Sequence, residues 1–257
     1  ILAPYQHAVE ELKVKFKNIR KEFLTKGEYS PIEFVTGRTK KIASIVSKAK
    51  RLNIQDIEAE MEDIAGIRIM CQFVEDIYNI VNLIKLRSDM TIVYEKDYIK
   101  NFKDSGYRSY HVIIKYPINS IAGSKEILCE IQIRTLAMNF WATIEHSLKY
   151  KYEHYIPETL AVRLRRAADA AFLLDQEMSE IREDIMKAQV MYQVKSVTLR
   201  DVLDKIQELY NVGETHKAIK YQRRLDKIDN ERDITEILQL KKEIDSLLQE
   251  YKNKVDD

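Results

Sequence analysis

Between Ile127 and Arg134 apolar and polar residues alternate without a break, and directly after Thr135 the apolar spacing becomes helical. A strand over this stretch turns Ile127, Cys129, Ile131 and Ile133 to one face and Glu130, Gln132 and Arg134 to the other. The residues that follow put Ala137, Trp141, Ile144 and Leu148 on one helical stripe and Asn139, Ala142 and His146 on another. A chain with this junction must cover one face of a sheet. It also sets a carboxylate on the opposite face, with a helix able to bring an amide and an imidazole alongside it. Taken alone, that polar face reads as the solvated surface of a half-buried strand.

With 257 residues, the chain has length for one domain, or one domain plus an appendage, and 45% hydrophobic with 32% charged residues is ordinary for a globular protein. No apolar run approaches a membrane span, and the first residues lack the layout of a signal peptide, so the expected compartment is the cytoplasm. Two cysteines, Cys71 and Cys129, are too few for a disulfide framework or a four-ligand zinc site and fall on apolar strand faces. The net charge of +1 conceals an uneven distribution. Residues 13–51 hold twelve Lys and Arg against three Glu, a net +9, leaving about −8 for the rest. This basic segment suits a phosphate-bearing partner, or is a solvated helix face.

In chain order, Val9, Leu12, Phe16, Ile19 and Phe23 predict an amphipathic helix over 5–23, and Phe34-Val-Thr-Gly37 predicts a short strand entering a turn. A helix with buried Ile42, Ile45, Val46 and Ala49 follows, carrying Ser44, Lys48 and Arg51 on another face. Arg38 and Lys40 at its entrance, with Lys48 and Arg51 along it, form a potential polyphosphate clamp of guanidinium forks and ammonium point charges. Residues 61–71 predict a strand with Ile67, Ile69 and Cys71 inward and Arg68 outward. Asp63 at its start is placed to hold a hard cation, because Mg²⁺ needs only one or two carboxylates beside phosphate oxygens; a turn or cap residue is the plainer reading. A helix near 75–87 and strands at 90–95 and 107–116 complete this part, the last with Tyr107, Ser109 and His111 on one face.

Together these stretches are recognisable. Gly37-Arg-Thr-Lys40, Asp63-Ile-Ala-Gly-Ile-Arg68, Lys103-Asp-Ser-Gly-Tyr-Arg-Ser-Tyr-His111 and Glu130-Ile-Gln-Ile-Arg-Thr135 resemble, in order and spacing, the RelA/SpoT synthetase domain. The run from Ala137 to Ser147 is similar to the stand-alone small alarmone synthetases of the RelQ type. The resemblance spans roughly residues 8–190 and implies transfer of pyrophosphate from ATP to the 3′-hydroxyl of GDP or GTP, giving ppGpp or pppGpp. It implies that Asp63 holds Mg²⁺ and that Glu130 lies beside the attacking hydroxyl, as base or second metal ligand. The cations Arg38, Lys40, Lys48, Arg51 and Arg68, with Ser44 on the same helix, fall on the ATP side. Tyr107 is implied to stack on guanine, with Lys103, His111, Gln132 and Asn139 around the acceptor nucleotide. RelQ-type relatives are homotetramers with an allosteric pppGpp site, which implies such a site at Lys17, Arg20, Lys21, Glu33, Phe34 and Thr36. The competing reading of that patch is single-stranded RNA binding.

The residues constrain these implications independently. No Gly-x4-Gly-Lys-Ser/Thr occurs, so phosphate binding rests on side chains. None of the five histidines precedes an aspartate, so the His-Asp pair of the hydrolase half of longer family members is missing and a synthetase without hydrolase is expected. Two alternatives share the fold: a nucleotidyltransferase acting on RNA ends, and a non-enzymatic RNA-binding or effector-sensing module. Asp63 and Glu130 together favour an enzyme.

Past Pro157 the pattern is wholly helical. Leu160, Leu164, Ala167, Ala171, Leu174, Met178, Ile181 and Ile185 form a heptad-type seam, read either as packing on the sheet or as a subunit contact. Thr198-Leu-Arg-Asp201 predicts a helix start, Asn211-Val-Gly213 a break, and Ile237, Leu240, Ile244, Leu247 and Tyr251 a last amphipathic stripe. The expected architecture is α/β (α+β): a mixed sheet of about five strands flanked by helices, nucleotidyltransferase-like. Residues 1–190 form the synthetase domain and 191–257 a helical C-terminal extension.

Overall fold

The structure, a computed structural model, describes residues 2–121, 123–151, 157–228 and 234–255. Two compact units make up the chain, Ile1–Glu180 and Ile181–Asp257. In the first, five strands form one sheet: β1 (Phe34–Thr39), β2 (Ala65–Cys71), β3 (Thr91–Asp97), β4 (Tyr110–Ser120) and β5 (Gly123–Thr135). Their order is β1-β2-β5-β4-β3, with β2 and β5 parallel and every other neighbour antiparallel. The mixed sheet expected from the pattern is therefore present.

The alternation in β5 decides which face is which. Cys129, Ile131 and Ile133 join Ile67, Ile69 and Cys71 of β2 and Val112, Ile114 and Tyr116 of β4 in one buried core. Helices α1 (Ala3–Thr25) and, beyond α2 (Ile42–Leu52) and the single turn α3 (Ile57–Glu60), α4 (Val74–Lys85) supply Val9, Leu12 and Phe16, and Ile77, Ile80 and Ile84, to that core. Gly37 lets α1 approach: a Cβ there would lie 2.7 Å from Val9 Cγ1 and 3.0 Å from Ile67 Cδ1. On the opposite face the register aligns side chains in rows across the strands. Arg38, Gly66, Glu130 and Ile113 form one row, and Thr36, Arg68, Gln132 and His111 the next.

Local patterns were overridden at several places. On α2 (Ile42–Leu52) Ile45 and Ala49 are buried, but Ile42 and Val46 of the expected stripe are exposed, because this helix touches the sheet along a narrower line than a full apolar stripe. On α5 (Leu136–Lys151) the buried face is Met138, Trp141, Ala142 and Glu145, while Ile144 is exposed. Packing by α6 (Glu158–Asn211) sets that rotation: the Trp141 indole N–H donates to the Leu164 carbonyl at 2.8 Å, and Trp141, Ala142 and Ala168 form a small cluster. Most of the heptad seam is exposed in this chain, including Leu174, Met178, Ile181 and Ile185. Thr198 starts no helix. It lies inside α6 with its hydroxyl donating to the Val194 carbonyl, the i−4 bond that lets threonine sit within a helix.

The second unit has its own core. The break at Gly213 separates α6 from α7 (Thr215–Lys227), and α8 (Ile234–Val255) follows. Ile237, Leu240 and Ile244, with Leu247 packed beside them, bury against Val202, Ile206, Leu209, Ala218 and Leu225. The side chain of Tyr251 lies outside the described residues. Among the described residues no helix is long and apolar enough to cross a membrane.

One buried acid ties α6 to the β5–α5 junction. Thr135 accepts the Met138 N–H, capping α5, and donates its hydroxyl to Asp175 at 2.6 Å. Burial pushes the Asp175 carboxyl up to about 6 from 3.8, against the bond from Thr135 and with help from nearby Glu75. The folded state thus holds a proton that the unfolded chain releases, and this group's contribution to stability declines as pH rises from about 4 to about 6. Asp175→Asn keeps an acceptor for Thr135 and cannot ionise. Its melting temperature should match wild type most closely below about pH 4, exceed it increasingly from about pH 4 to about pH 6 and hold that lead above; an offset independent of pH would contradict this.

Candidate active site

Asp63 and Lys40 meet because they flank one antiparallel junction: Lys40 follows β1, Asp63 sits in the turn before β2, and the Lys40 N–H bonds the Ile64 carbonyl at 2.8 Å. The Asp63 carboxylate accepts from Lys40 Nζ at 2.6 Å and from Lys48 Nζ of α2 at 2.9 Å. Burial raises its pKa, but the two ammonium groups outweigh burial and hold it below the usual carboxylate range. Arg38 and Arg68 lie beside it on the sheet face. Burial and the neighbouring charges of Arg134 and Arg38 lower the pKa of Arg68, the signature of cations gathered without enough anion between them. A cleft is lined by Thr36, Gly37, Arg38, Asp63, Gly66, Ile67, Arg68, Glu130 and Gln132.

Glu130 sits in a closed ring of side chains. Its Oε1 faces His111 Nδ1 at 2.8 Å and its Oε2 accepts from Gln132 Nε2 at 2.8 Å. His111 Nε2 faces the Tyr107 hydroxyl at 2.8 Å. Arg134 Nη2 donates to the Tyr107 oxygen at 2.7 Å and to Gln132 Oε1 at 2.5 Å, which closes the circuit. Burial raises the Glu130 pKa, yet the bonds from His111 and Gln132 prevail and keep it below its ordinary value, so the carboxylate stays ionised.

The loop carrying Lys103 and Tyr107 is held from below. The strand expected from Tyr107 begins only at Tyr110, because the three preceding residues fold into this loop. Tyr98 N–H bonds the Ser109 carbonyl and Lys103 N–H the Tyr107 carbonyl. The buried Arg108 guanidinium lies 4.5 Å from both the Phe102 and Phe172 rings and donates to Gly106 O, Ala168 O and Asp169 Oδ1. Gly106 has φ +86°, and a Cβ on it would meet the Ala168 Cβ at 2.6 Å, so only glycine lets the loop press on α6. Tyr107, Ser109 and His111 do share a side, as expected, since Ser109 Oγ accepts from Arg134 Nε at 3.2 Å. Lys103 Nζ lies 4.7 Å from the Tyr98 ring centre and 5.1 Å from that of Tyr107.

Of the remaining expected positions, Ser44 and Arg51 are exposed on α2, and Asn139 is half-buried one turn into α5, outside the ring. Lys17, Arg20 and Lys21 lie on the last turns of α1, and Arg20 Nε donates to the Ile32 carbonyl at 3.0 Å, bringing it against the chain entering β1 at Glu33 and Phe34. Thr36, assigned with them from the sequence, lines the cleft beside Arg38. Arg134 and Tyr98 were not singled out. Arg134 is visible in the sequence as the third polar residue on one strand face and within the Glu130–Thr135 motif, with no role of its own. Tyr98, edge-on to both Tyr107 and His111 at 6.1 and 5.1 Å, had no local signal.

A cleft joining cations around one carboxylate to an aromatic and amide ring around another describes a nucleotide-handling transferase. Residues 37–155 match the family described as "Region found in RelA / SpoT proteins". The chain is 56% identical over 195 residues to GTP pyrophosphokinase YjbM of Bacillus subtilis, covering 76% of this chain and 92% of that protein. The small alarmone synthetase 1 of Bacillus subtilis bound to its product pppGpp superposes with a TM-score of 0.70 at 57% identity, over 72% of this chain and 95% of that one. The same enzyme bound to AMPCPP gives 0.64 at 53% identity, over 72% and 96%. This chain belongs to the RelA/SpoT family, among its GTP pyrophosphokinases of the small alarmone synthetase type.

Tyr107→Ala should raise KM for the guanine nucleotide more than for ATP, because stacking on an aromatic ring is worth about 1–3 kcal/mol per base. Tyr107→Phe keeps the ring but breaks the circuit at its hydroxyl, so it should retain KM and lose some turnover. Steady-state kinetics with each substrate varied tests both; equal KM effects in the alanine variant would make Tyr107 a packing residue only.

Proposed function

We propose that this protein transfers the β,γ-pyrophosphate of ATP to the 3′-hydroxyl of GDP or GTP, forming ppGpp or pppGpp, and has no hydrolase activity. One observation carries the reading: Asp63 and Glu130 line a single cleft, the first amid Lys40, Lys48, Arg38 and Arg68, the second inside the Tyr107–His111–Gln132 ring. The cation side suits a triphosphate, whose oxygens replace Asp63 as partners of the two lysines. The ring side suits a guanine nucleotide, with Tyr107 for the base and Glu130 for the ribose hydroxyl. A ribose hydroxyl is a poor nucleophile, and an ionised carboxylate within reach takes its proton as attack develops. Placement and charge neutralisation supply the rest.

Mg²⁺ fits the donor set. No group of three or more His, Cys, Asp or Glu positioned for a metal occurs among the described residues, and Mg²⁺ bound to phosphates needs no such cage. Asp63 and Glu130 would hold it with phosphate oxygens, and it would neutralise charge on the transferred group. Incubating the protein with labelled ATP, GDP and Mg²⁺ tests the reading. A guanosine product that carries the label is expected whether ATP is labelled at the β or at the γ phosphate; transfer only to RNA 3′ ends, or no transfer, would overturn it.

The assembly belongs to the same proposal. The exposed Leu174, Met178, Ile181 and Ile185 on α6 support a homotetramer in which this seam meets another subunit. The second unit buries its apolar stripe in a core of its own, which supports an accessory role outside the chemistry. Lys17, Arg20, Lys21, Glu33 and Phe34 would form an effector site for pppGpp, a patch that single-stranded RNA would share. Arg20→Ala should abolish activation by added pppGpp while leaving the basal rate within about twofold, since surface changes away from the cleft are usually mild. An unresponsive wild type would remove the effector site.

A further inference from the structure

Arg134 is buried, 4% exposed, and its hydrogen bonds go to Ser109, Tyr107 and Gln132, the neighbours of Glu130. An arginine side chain can only donate hydrogen bonds, and that property gives the ring around Glu130 a direction. Along one branch, Arg134 Nη2 occupies the Tyr107 oxygen as an acceptor, so the Tyr107 O–H is left to donate to His111 Nε2. His111 Nε2 is then an acceptor, its ring proton sits on Nδ1, and Nδ1–H points at Glu130 Oε1. Along the other branch, Arg134 faces Gln132 Oε1, which turns the amide nitrogen toward Glu130 Oε2. Both branches begin at one guanidinium and end with an N–H on each oxygen of the same carboxylate. The ionised Glu130 carboxylate, which can only accept, sets the same direction from the other end, so Arg134 and Glu130 hold the circuit from its two ends; without Arg134 the Tyr107 hydroxyl and the Gln132 amide oxygen lose their anchor.

We propose that Arg134 is a positioning residue for the acceptor half of the reaction: it anchors the Gln132 amide oxygen and the Tyr107 hydroxyl, and through Gln132 and His111 the pose of Glu130 and the guanine-nucleotide site. Its further bond to Ser109 Oγ and its guanidinium 5.2 Å from the Tyr107 ring centre lock it to the same loop that carries Tyr107. The kinetic part of this inference rests on the proposed role of Glu130; the hydrogen-bond directions do not.

Two variants and one spectrum test it. Arg134→Met keeps length and removes every donor, whereas Arg134→Lys retains a cation able to donate to both Tyr107 and Gln132. The methionine variant should lose turnover on the order of 10²-fold, the scale on which a displaced reacting group costs rate. Its KM for the guanine nucleotide should rise while KM for ATP stays within about twofold, because Arg38, Lys40 and Lys48 lie outside the circuit. The lysine variant should recover part of the turnover. A packing role alone would lower stability and all parameters together, without that split or that rescue. The tautomer is read on the resting protein by ¹⁵N-histidine NMR at pH 8, with His111 assigned through His111→Gln: Nδ1-protonated in wild type, and in Arg134→Met with its Nε2 resonance shifted because the Tyr107 hydroxyl has lost its anchor. A wild-type His111 protonated on Nε2, or kinetics unsplit between the two substrates in Arg134→Met, overturns the proposal. If Arg134→Met does not fold, the wild-type spectrum and the Arg134→Lys kinetics decide. Full turnover in Glu130→Gln would remove the base assignment while leaving the tautomer result standing, so the two failures are distinguishable.

Discussion

Glu130→Gln should lower turnover by about 10²- to 10⁴-fold, the usual loss when a general base is removed. The amide has the volume of the carboxylate but can neither take the ribose proton nor bind a cation strongly. The ring makes the structural consequence specific: wild-type Glu130 receives an N–H on each oxygen, from His111 and from Gln132. Glutamine presents one acceptor and one NH₂, so one of the two partners must invert. His111 can do so by exchanging tautomers, which avoids the cost of about 1–3 kcal/mol for an unsatisfied buried donor. Thermal melting and nucleotide binding should therefore stay near wild type while product formation collapses. Turnover within tenfold of wild type would end the assignment of Glu130 as base or ligand.

Asp63→Asn should lower turnover by about 10²-fold or more, comparable to removing one preorganised electrostatic partner, with raised Mg²⁺ restoring only part of it. The binding of ATP should behave differently. In the resting protein the Asp63 carboxylate ties up Lys40 at 2.6 Å and Lys48 at 2.9 Å, and asparagine removes the negative charge that competes with phosphate for both. KM for ATP should thus hold steady or fall while kcat drops. The opposite pattern, an intact kcat with a higher KM for ATP, would mean that Asp63 only holds the two lysines in place and has no part in binding a cation.

The residues that carry both predictions were legible because each stands in a short local pattern. Strict alternation over 127–134 separated Glu130 and Gln132 from the core residues Cys129, Ile131 and Ile133, and period two leaves no other outcome for a strand with one buried face. Asp63 and Arg68 fell on either side of the β2 start for the same reason. Motif spacing then identified the family, and a five-stranded mixed sheet followed from it. The stripes on α2 and α5 were less secure, since a helix has several apolar lines and the neighbour that covers one of them is not written nearby. For α5 that neighbour is α6, with Leu164 and Ala168 selecting the face that holds Trp141 and Ala142.

The sequence by itself determined the strands, the split of β5 into core and chemical faces, the clustered positive charge and the two carboxylates, because all of these depend on residue type and spacing along a few neighbours. The tertiary structure alone decided that Lys48 reaches Asp63, that Arg108 bends residues 107–109 out of the strand, and that Arg134 closes the ring around Glu130. Those contacts join β1, β2, α2, β4, β5 and α6, and they exist only because the strand order β1-β2-β5-β4-β3 sets distant segments side by side. A hydrogen bond's direction depends on the partner it meets, and no period in the sequence records which partner that will be.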